Sequence, residues 1–556
     1  MGKYYALGID YGTESGRAVL VDVETGEEVA THVYAYSHGV LDERLPDGTP
    51  LGPDWALQDP SDWITTLKVT VPEVIRQAGI SPDQVIGIGV DFTSCTVLPT
   101  KQDGTPLCQL TEYAKRPHAW AKLWKHHAAQ PEADRITQAI QEQGDPILER
   151  YGGKMSSEWI FPKIWQVLDE DEEVYNAADR FIEGGDWVVQ YLCGKEVRSS
   201  CMAGYKGMWD REAGFPSPEL LNRLHPRLGE IVGTKLSPEI SPLGSRAGEL
   251  RAEVAQELGL KAGTAVGVAI IDAHAAVPGS SVTEPGKMVM VMGTSTCHML
   301  LAEKKNYVDG MCGCVMDGIL PGYYGYEAGQ PATGDIFAWF VENCVSCNIH
   351  AQAQADGVSV HQLLEQRASQ LRPGQSGLLA LDWWNGNRSV LVDAELSGLM
   401  LGMTLTTKAE EIYLALIEAT AFGTKKIIHA FEEAGIAIRE LYACGGLPQR
   451  NRLLMQVYSD VTGLPIFVAA SSQPSALGAA ILGAVAAGKR AGGYDSPQEA
   501  AQRMARLDEK PYSPRKDYHE MYKILFDEYV KLHDYFGRGQ NPVMKTLRKL
   551  RQDSYT

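Results

Sequence analysis

Two apolar runs in this chain each lead through a glycine–hydroxyl turn into a second apolar run. The first reads Leu7-Gly8-Ile9-Asp10-Tyr11-Gly12-Thr13-Glu14-Ser15-Gly16-Arg17-Ala18-Val19-Leu20-Val21-Asp22. The second reads Met288-Val289-Met290-Val291-Met292-Gly293-Thr294-Ser295-Thr296-Cys297-His298-Met299-Leu300-Leu301. Each run is short and continuous, as in a buried strand. Turns of this kind point backbone N–H groups into one concavity, which suits an anion and above all a phosphate. Two such turns facing across a cleft would grip a nucleoside triphosphate from both sides.

The pattern repeats beyond the turns. A helical stretch, Val71 to Gln77, ends at Ala78-Gly79-Ile80 and precedes the strand-like Val85-Ile86-Gly87-Ile88-Gly89-Val90-Asp91. A longer helical stretch, about Thr407 to Glu433, carries Ile412, Leu416, Ala419 and Phe422 on one face. It ends at Ala434-Gly435-Ile436 and precedes the strand Leu441 to Cys444. Gly79 and Gly435 stand where a helix takes a left-handed closing residue. Two α/β domains related by duplication follow, enclosing a cleft. The Pro-, Gly- and Ser-containing stretch Ser237 to Gly248 places their division between about 240 and 275. We take the domains as 1–265 and 266–556. Ser475 to Gly488, rich in Ala and Gly, reads as a tightly packed interdomain helix.

Composition narrows the function. The 556 residues, 44% apolar and 22% charged, fit a globular protein of roughly two to four domains. A net charge of −19 argues against nucleic acid or an anionic membrane as partner. The longest small-apolar run, Ala476 to Gly488, is shorter than the ~20 residues of a membrane span. The chain enters strand-like Tyr4-Tyr5-Ala6-Leu7 with no apparent leader, and ten cysteines without an export signal suit a reducing cytoplasm. Cys312, Cys314, Cys344 and Cys347 could supply four zinc ligands. However, Cys344 and Cys347 adjoin a helix-like apolar stretch, Ile336 to Asn343, which favours buried thiols. His118, His126 and His127 surround a Trp-rich stretch, Ala119 to Trp124, that reads as a helix, and they are given no role beyond packing.

Several blocks resemble the FGGY carbohydrate kinases over essentially the whole chain. They are Gly8 to Thr13, Lys122 to Gln130, Met292 to Met299, Gly325 to Gln330 and Gly398 to Thr404. The resemblance implies two actin-like ATPase (RNase H-like) domains, with ATP and Mg²⁺ as cofactors. It is strongest to members that phosphorylate L-ribulose in L-arabinose catabolism. The implied partner is thus L-ribulose or a related ketopentose, and a homodimer is allowed. The pattern departs near Lys163, where Trp165 follows two residues later, so the role of that lysine stays open.

By resemblance, Asp272, which closes the apolar strand Val266 to Ile271, accepts the proton of the attacking sugar hydroxyl. An alcohol needs such an acceptor to become a nucleophile. The plain alternative is a helix N-cap, and both roles can coexist. Ser94, Lys206 and Glu327, with Asp272, are the implied sugar contacts. Asp10, beside the first turn, would hold Mg²⁺, its plain alternative being a turn cap. Gly12, Thr13 and Ser15 would donate to phosphate oxygens, with Arg17 adding charge, and Gly293 and Thr294 would do the same from the second turn. Gly446 and Asn451 are the implied adenosine contacts, with Gly334 beside them. A filament or chaperone ATPase, and a kinase for D-ribulose, ribitol or xylulose, remain as alternatives. Closure of the cleft about a hinge near 240–275 is also expected.

Overall fold

The structure, a computed structural model, describes residues 3–508 and 510–554. Two sheets repeat one plan. In the first, β1 (Tyr5–Tyr11) pairs antiparallel with β2 (Ser15–Asp22), and β2 with β3 (Glu28–Ala35). The helix α1 (Pro60–Ala78) then leads to β4 (Val85–Phe92), parallel to β1, and β5 (Ala265–Gly267) lies parallel to β4. The strand β6 (Ile270–Ile271) also pairs with β4 and runs directly into α2 (Asp272–Gly279).

In the second sheet, β7 (Lys287–Met292) pairs antiparallel with β8 (Thr296–Ala302), and β8 with β9 (Tyr324–Gln330). After α3 (Gly334–Cys344) and α4 (Ala409–Glu433) comes β10 (Glu440–Cys444), parallel to β7. The strand β11 (Ile466–Val468) is parallel to β10. The orders β3-β2-β1-β4-β5 and β9-β8-β7-β10-β11 are therefore the same. Gly79 and Gly435, at φ 62° and 82°, follow the matching helices in the left-handed region as expected.

The first sheet extends through Ile271, so a division at 265/266 would cut into β5. Residues 240–275 build that sheet's edge and the start of α2, and the chain passes to the second sheet only after Gly279. It returns in α5 (Pro474–Ala487), which packs on β1, β2 and α2. Backbone meets backbone there: a Cβ on Gly89 would sit 1.8 Å from the Ala479 carbonyl oxygen, and one on Gly478 1.8 Å from that of Ala275. The Ala- and Gly-rich sequence of α5 thus serves close approach between the two halves. The hinge expected at 240–275 would therefore fall inside the first sheet and not between the halves.

Between β4 and β5 lies an insertion that the hydrophobic pattern did not reveal. Its own core includes Trp120, Ile136, Phe161, Trp165 and Leu221. The Ala119 to Trp124 stretch inside it is no helix: a tight turn at Pro117–Ala119 precedes the short strand Ala121–Lys122. Pairing of Lys122 with Leu57 and capture of the Leu123 carbonyl by the Lys163 ammonium (2.8 Å) hold it extended. His118 and His126 pack edge-on against Trp55. Cys344 and Cys347 are exposed, against the expectation of buried thiols: α3 buries Ile336, Phe337 and Phe340 and leaves its last turn, with Cys344, in solvent, and Cys347 opens the next helix, Cys347–Ala355, which buries only Ala353. Among the described residues no helix is long and apolar enough to cross a membrane.

Candidate active site

Three neighbouring parallel strands of the first sheet each bring an aspartate to their C-terminal end. Asp10 on β1 is level with Asp91 on β4, and Asp272 follows β6, which lies against the end of β4. Ligands in open α/β sheets bind at such strand ends. Asp91 is fully buried and neither of its carboxyl oxygens has a hydrogen-bond partner. Burial, then the charge of Asp10, raises its pKa well above the carboxylate range. Asp10 is buried too, with the Arg17 Nε 3.4 Å from its carboxylate. Arg17 also donates to the Ser15 hydroxyl (3.3 Å), so it ties the turn to Asp10.

Asp272 is half-buried and is the first residue of α2, one place inside the helix. The N-cap is Ile271, which corrects the capping expectation, and the Asp272 carboxylate accepts the N–H of Ala273 (2.6 Å). Burial, then the charge of Asp10, pushes Asp272 up to about 7. A carboxylate poised near neutrality is suited to take a proton from an alcohol.

The two turns close alike. Gly12 N–H donates to the Ser15 carbonyl and Gly293 N–H to the Ser295 carbonyl, both at 2.9 Å. Thr13 is held from outside, by Trp124 Nε1 on its hydroxyl (3.1 Å) and Gln58 on its carbonyl (2.8 Å). The second turn is buttressed by α3. Gly334 N–H reaches the Gly293 carbonyl (3.0 Å), Thr333 N–H reaches that of Thr294 (2.8 Å), and a Cβ on Gly334 would sit 2.6 Å from the Gly293 oxygen. Gly334 thus supports the turn from behind.

Lys206 and Glu327 come from opposite halves and meet. Lys206 ends the helix Ser200–Lys206, Glu327 sits within β9, and Nζ lies 3.3 Å from the carboxylate with both side chains buried. Burial opposes both charges, yet the pair outweighs it: Glu327 is held well below the usual carboxylate range and Lys206 is raised. His274 Nε2 (3.4 Å) and Arg388 Nη2 (3.2 Å) also reach Glu327. His274 is fully buried, with its ring 4.0 Å from that of Tyr205 and Nδ1 3.2 Å from the Cys201 sulfur. The Ser94 hydroxyl is buried without a partner. Its loop is fixed by Lys163, whose ammonium donates to the Cys95 carbonyl (2.7 Å) as well as to Leu123, and this gives that lysine an organising role.

On the second sheet, Gly445 (φ 95°) packs against Met292, while a Cβ on Gly446 would meet nothing within 4 Å, so that face is open to a ligand. Asn451 differs from expectation. Its carbonyl oxygen accepts the Leu454 N–H (2.8 Å) to cap the next helix, and its amide donates to Tyr413 (3.4 Å). Both ends of its side chain are therefore engaged within the domain.

Asp91, His274 and Arg388 were not singled out from the sequence. Asp91 carried a legible signal, a carboxylate closing an apolar strand just as Asp272 does. Arg388 lies in a loop far along the chain and carried none.

Comparison with known proteins agrees with this architecture. Residues 5–279 match the N-terminal domain, and residues 288–487 the C-terminal domain, of the FGGY family of carbohydrate kinases. A ribulokinase from Halalkalibacterium halodurans is 57% identical over 552 residues, 99% of this chain and 98% of the relative. One from Anoxybacillus flavithermus is 58% identical over 549 residues, 99% and 97% of the two chains. Among solved structures, the fold is shared with a gluconate kinase from Lactobacillus acidophilus (TM-score 0.80, 19% identity, covering 97% of this chain and 99% of that one). It is also shared with a xylulose kinase from Rhodospirillum rubrum (TM-score 0.79, 20% identity, covering 95% and 98%). The filament and chaperone alternatives fall away, because both halves and nearly the full length match kinases that act on carbohydrates. The chain belongs to the FGGY family of carbohydrate kinases.

Proposed function

We propose that this protein transfers the γ-phosphoryl group of ATP to the terminal hydroxyl of L-ribulose, giving L-ribulose 5-phosphate. The observation that carries the reading is the position of Asp272. It stands at the strand ends with Asp10 and Asp91 on the side of the phosphate turns, while the adjoining α2 carries His274 against the Lys206–Glu327 pair. The full-length relatives named ribulokinase support the choice of substrate.

The geometry supports the following roles. Asp272 accepts the hydroxyl proton as the oxygen attacks. Glu327 accepts hydroxyl hydrogens from the sugar, Lys206 donates to its oxygens, and the unpartnered Ser94 hydroxyl adds one more contact. The N–H groups of Thr13 and Ser15 in one turn, and of Thr294 in the other, hold phosphate oxygens, while the N–H groups of Gly12 and Gly293, expected to do the same, are spent on closing the turns. Gly446 leaves room for the adenosine, with Asn451 acting through the helix it caps.

Among the described residues no three metal-ligating side chains cluster. Mg²⁺ needs only one or two carboxylates when phosphates complete its shell. The buried carboxyl of Asp91, without a donor, beside Asp10 fits that demand. Asp10 and Asp91 would hold the ion, which when bound offsets charge on the phosphate oxygens.

Closure of the two halves would exclude water as a competing acceptor. A role in L-arabinose breakdown within the cytoplasm, and assembly as a homodimer, belong to the same reading. ATP consumption measured against a panel of ketopentoses and pentitols tests it. L-Ribulose should give the highest kcat/KM, and turnover confined to pentitols or to xylulose would overturn the choice of substrate.

A further inference from the structure

Arg388 is unused by the roles assigned above, yet it is built into the sugar side of the cleft. Its aliphatic stem crosses Gly329, two residues from Glu327 on β9 and on the same face of the strand. A Cβ on Gly329 would lie 3.0 Å from the Arg388 Cδ, so the missing side chain makes the slot. The next residue anchors the loop: Ser389 N–H donates to the Gly329 carbonyl and Gly329 N–H to the Ser389 hydroxyl, both at 3.2 Å. The side chain is 31% exposed, with Nη2 bonded to Glu327 (3.2 Å) and 3.9 Å from Glu158 of the first half, beyond hydrogen-bond length. A guanidinium has five N–H donors and no acceptor. Donors remain for a ligand next to the Lys206 ammonium, which is donor-only as well.

We propose that Arg388 is a substrate-binding residue that, with Lys206, donates hydrogen bonds to the carbonyl oxygen of an open-chain ketose. This rests on the ketopentose reading above and names what distinguishes that substrate from a pentitol. A carbonyl oxygen accepts from two donors without bringing a hydrogen of its own. An alcohol in the same place brings an O–H that must compete for the Glu327 carboxylate, already engaged by Lys206, His274 and Arg388, and a site built to bond one group discriminates against an analogue that mismatches it.

The experiment compares wild type, R388M, R388K and E158Q by steady-state kinetics with L-ribulose, with ribitol and with varied ATP. R388M should raise the KM for L-ribulose roughly 10–100-fold, the range for losing a hydrogen bond to a charged group, while the KM for ATP changes by less than about twofold. Its preference for L-ribulose over ribitol, as a ratio of kcat/KM, should fall by about tenfold. R388K keeps a charge beside Glu327. Should R388M fail to fold, a lowered ketose preference in R388K supports the proposal and an unchanged one overturns it. E158Q should leave the preference at its wild-type value; if it reproduces the loss, Arg388 acts only as a cross-cleft tie and the proposal fails. Wild type active on L-ribulose with R388M equally selective overturns this inference alone. Wild type inactive on every ketopentose overturns the substrate reading and this inference with it.

Discussion

The two sheets share a strand order and a turn, but their side chains have diverged. Asp10 on β1 is level with Asp91 on β4; the matching pair on the second sheet is Val291 on β7 level with Cys444 on β10. The first turn holds four residues between its last paired positions, Tyr11 and Gly16, and the second holds three, between Met292 and Thr296. One half therefore offers backbone N–H groups backed by carboxylates and the cation Arg17. The other offers backbone N–H groups in apolar surroundings, buttressed by α3. Phosphate recognition needs only the backbone, so both copies can provide it. Proton and cation chemistry needs carboxylates, and these stand on one side of the transfer.

The largest effect should separate the halves directly. Asp272→Asn removes the proton acceptor and should lower kcat by ~10²–10⁴-fold. Cys444→Ser, at the second-sheet counterpart of Asp91, should leave kcat within about twofold. Steady-state rates decide it, and comparable losses in both would break the comparison.

The Lys206–Glu327 pair joins the halves. Lys206→Met leaves the buried Glu327 carboxylate with Arg388 as its remaining cation and should cost about 1–3 kcal/mol of stability. The KM for sugar should rise well beyond that for ATP. Thermal unfolding and kinetics together test this, and equal rises in both KM values would place the pair outside the sugar pocket.

The pH profile sharpens the claim about Asp272. Its pKa is raised to about 7, so the proton-accepting form is lost as pH falls through that value. The kcat/KM for sugar should drop about tenfold per unit on the acid side, because this parameter reports groups of the free enzyme. The Asp272→Asn variant should lose that limb. A flat profile from pH 5 to 8 in wild type would count against the assignment.

Smaller effects concern the join and one hydroxyl. Gly478→Ala forces a Cβ against the Ala275 carbonyl and should cost about 1–3 kcal/mol, read as a lowered Tm. Ser94→Ala loses a neutral hydrogen bond of about 0.5–1.5 kcal/mol, so the KM for sugar should rise tenfold at most.

The sequence determined a great deal by itself. Apolar runs broken by Gly-Thr turns, followed by helix–Gly–strand units, forced two copies of one sheet, because these patterns depend on local backbone preference and burial. The Ala- and Gly-rich run announced close packing for the same reason. Asp10 and Glu327 lie in short blocks whose order along the chain is itself a signal, and Asp272 and Lys206 were proposed through the resemblance those blocks carry.

The tertiary structure alone decided the rest. Asp91 became part of an acidic group through its register with Asp10, and strand register is a long-range choice. Lys206 and Glu327 are 121 residues apart and pair only when the halves meet. Whether Asn451 faces a ligand or caps a helix, and whether Cys344 is buried, depended on where each helix ends against its neighbours. Arg388 gained its place from a glycine on another strand. Side-chain chemistry is written locally, but the dielectric and the partners that set its use are contributed by distant parts of the chain.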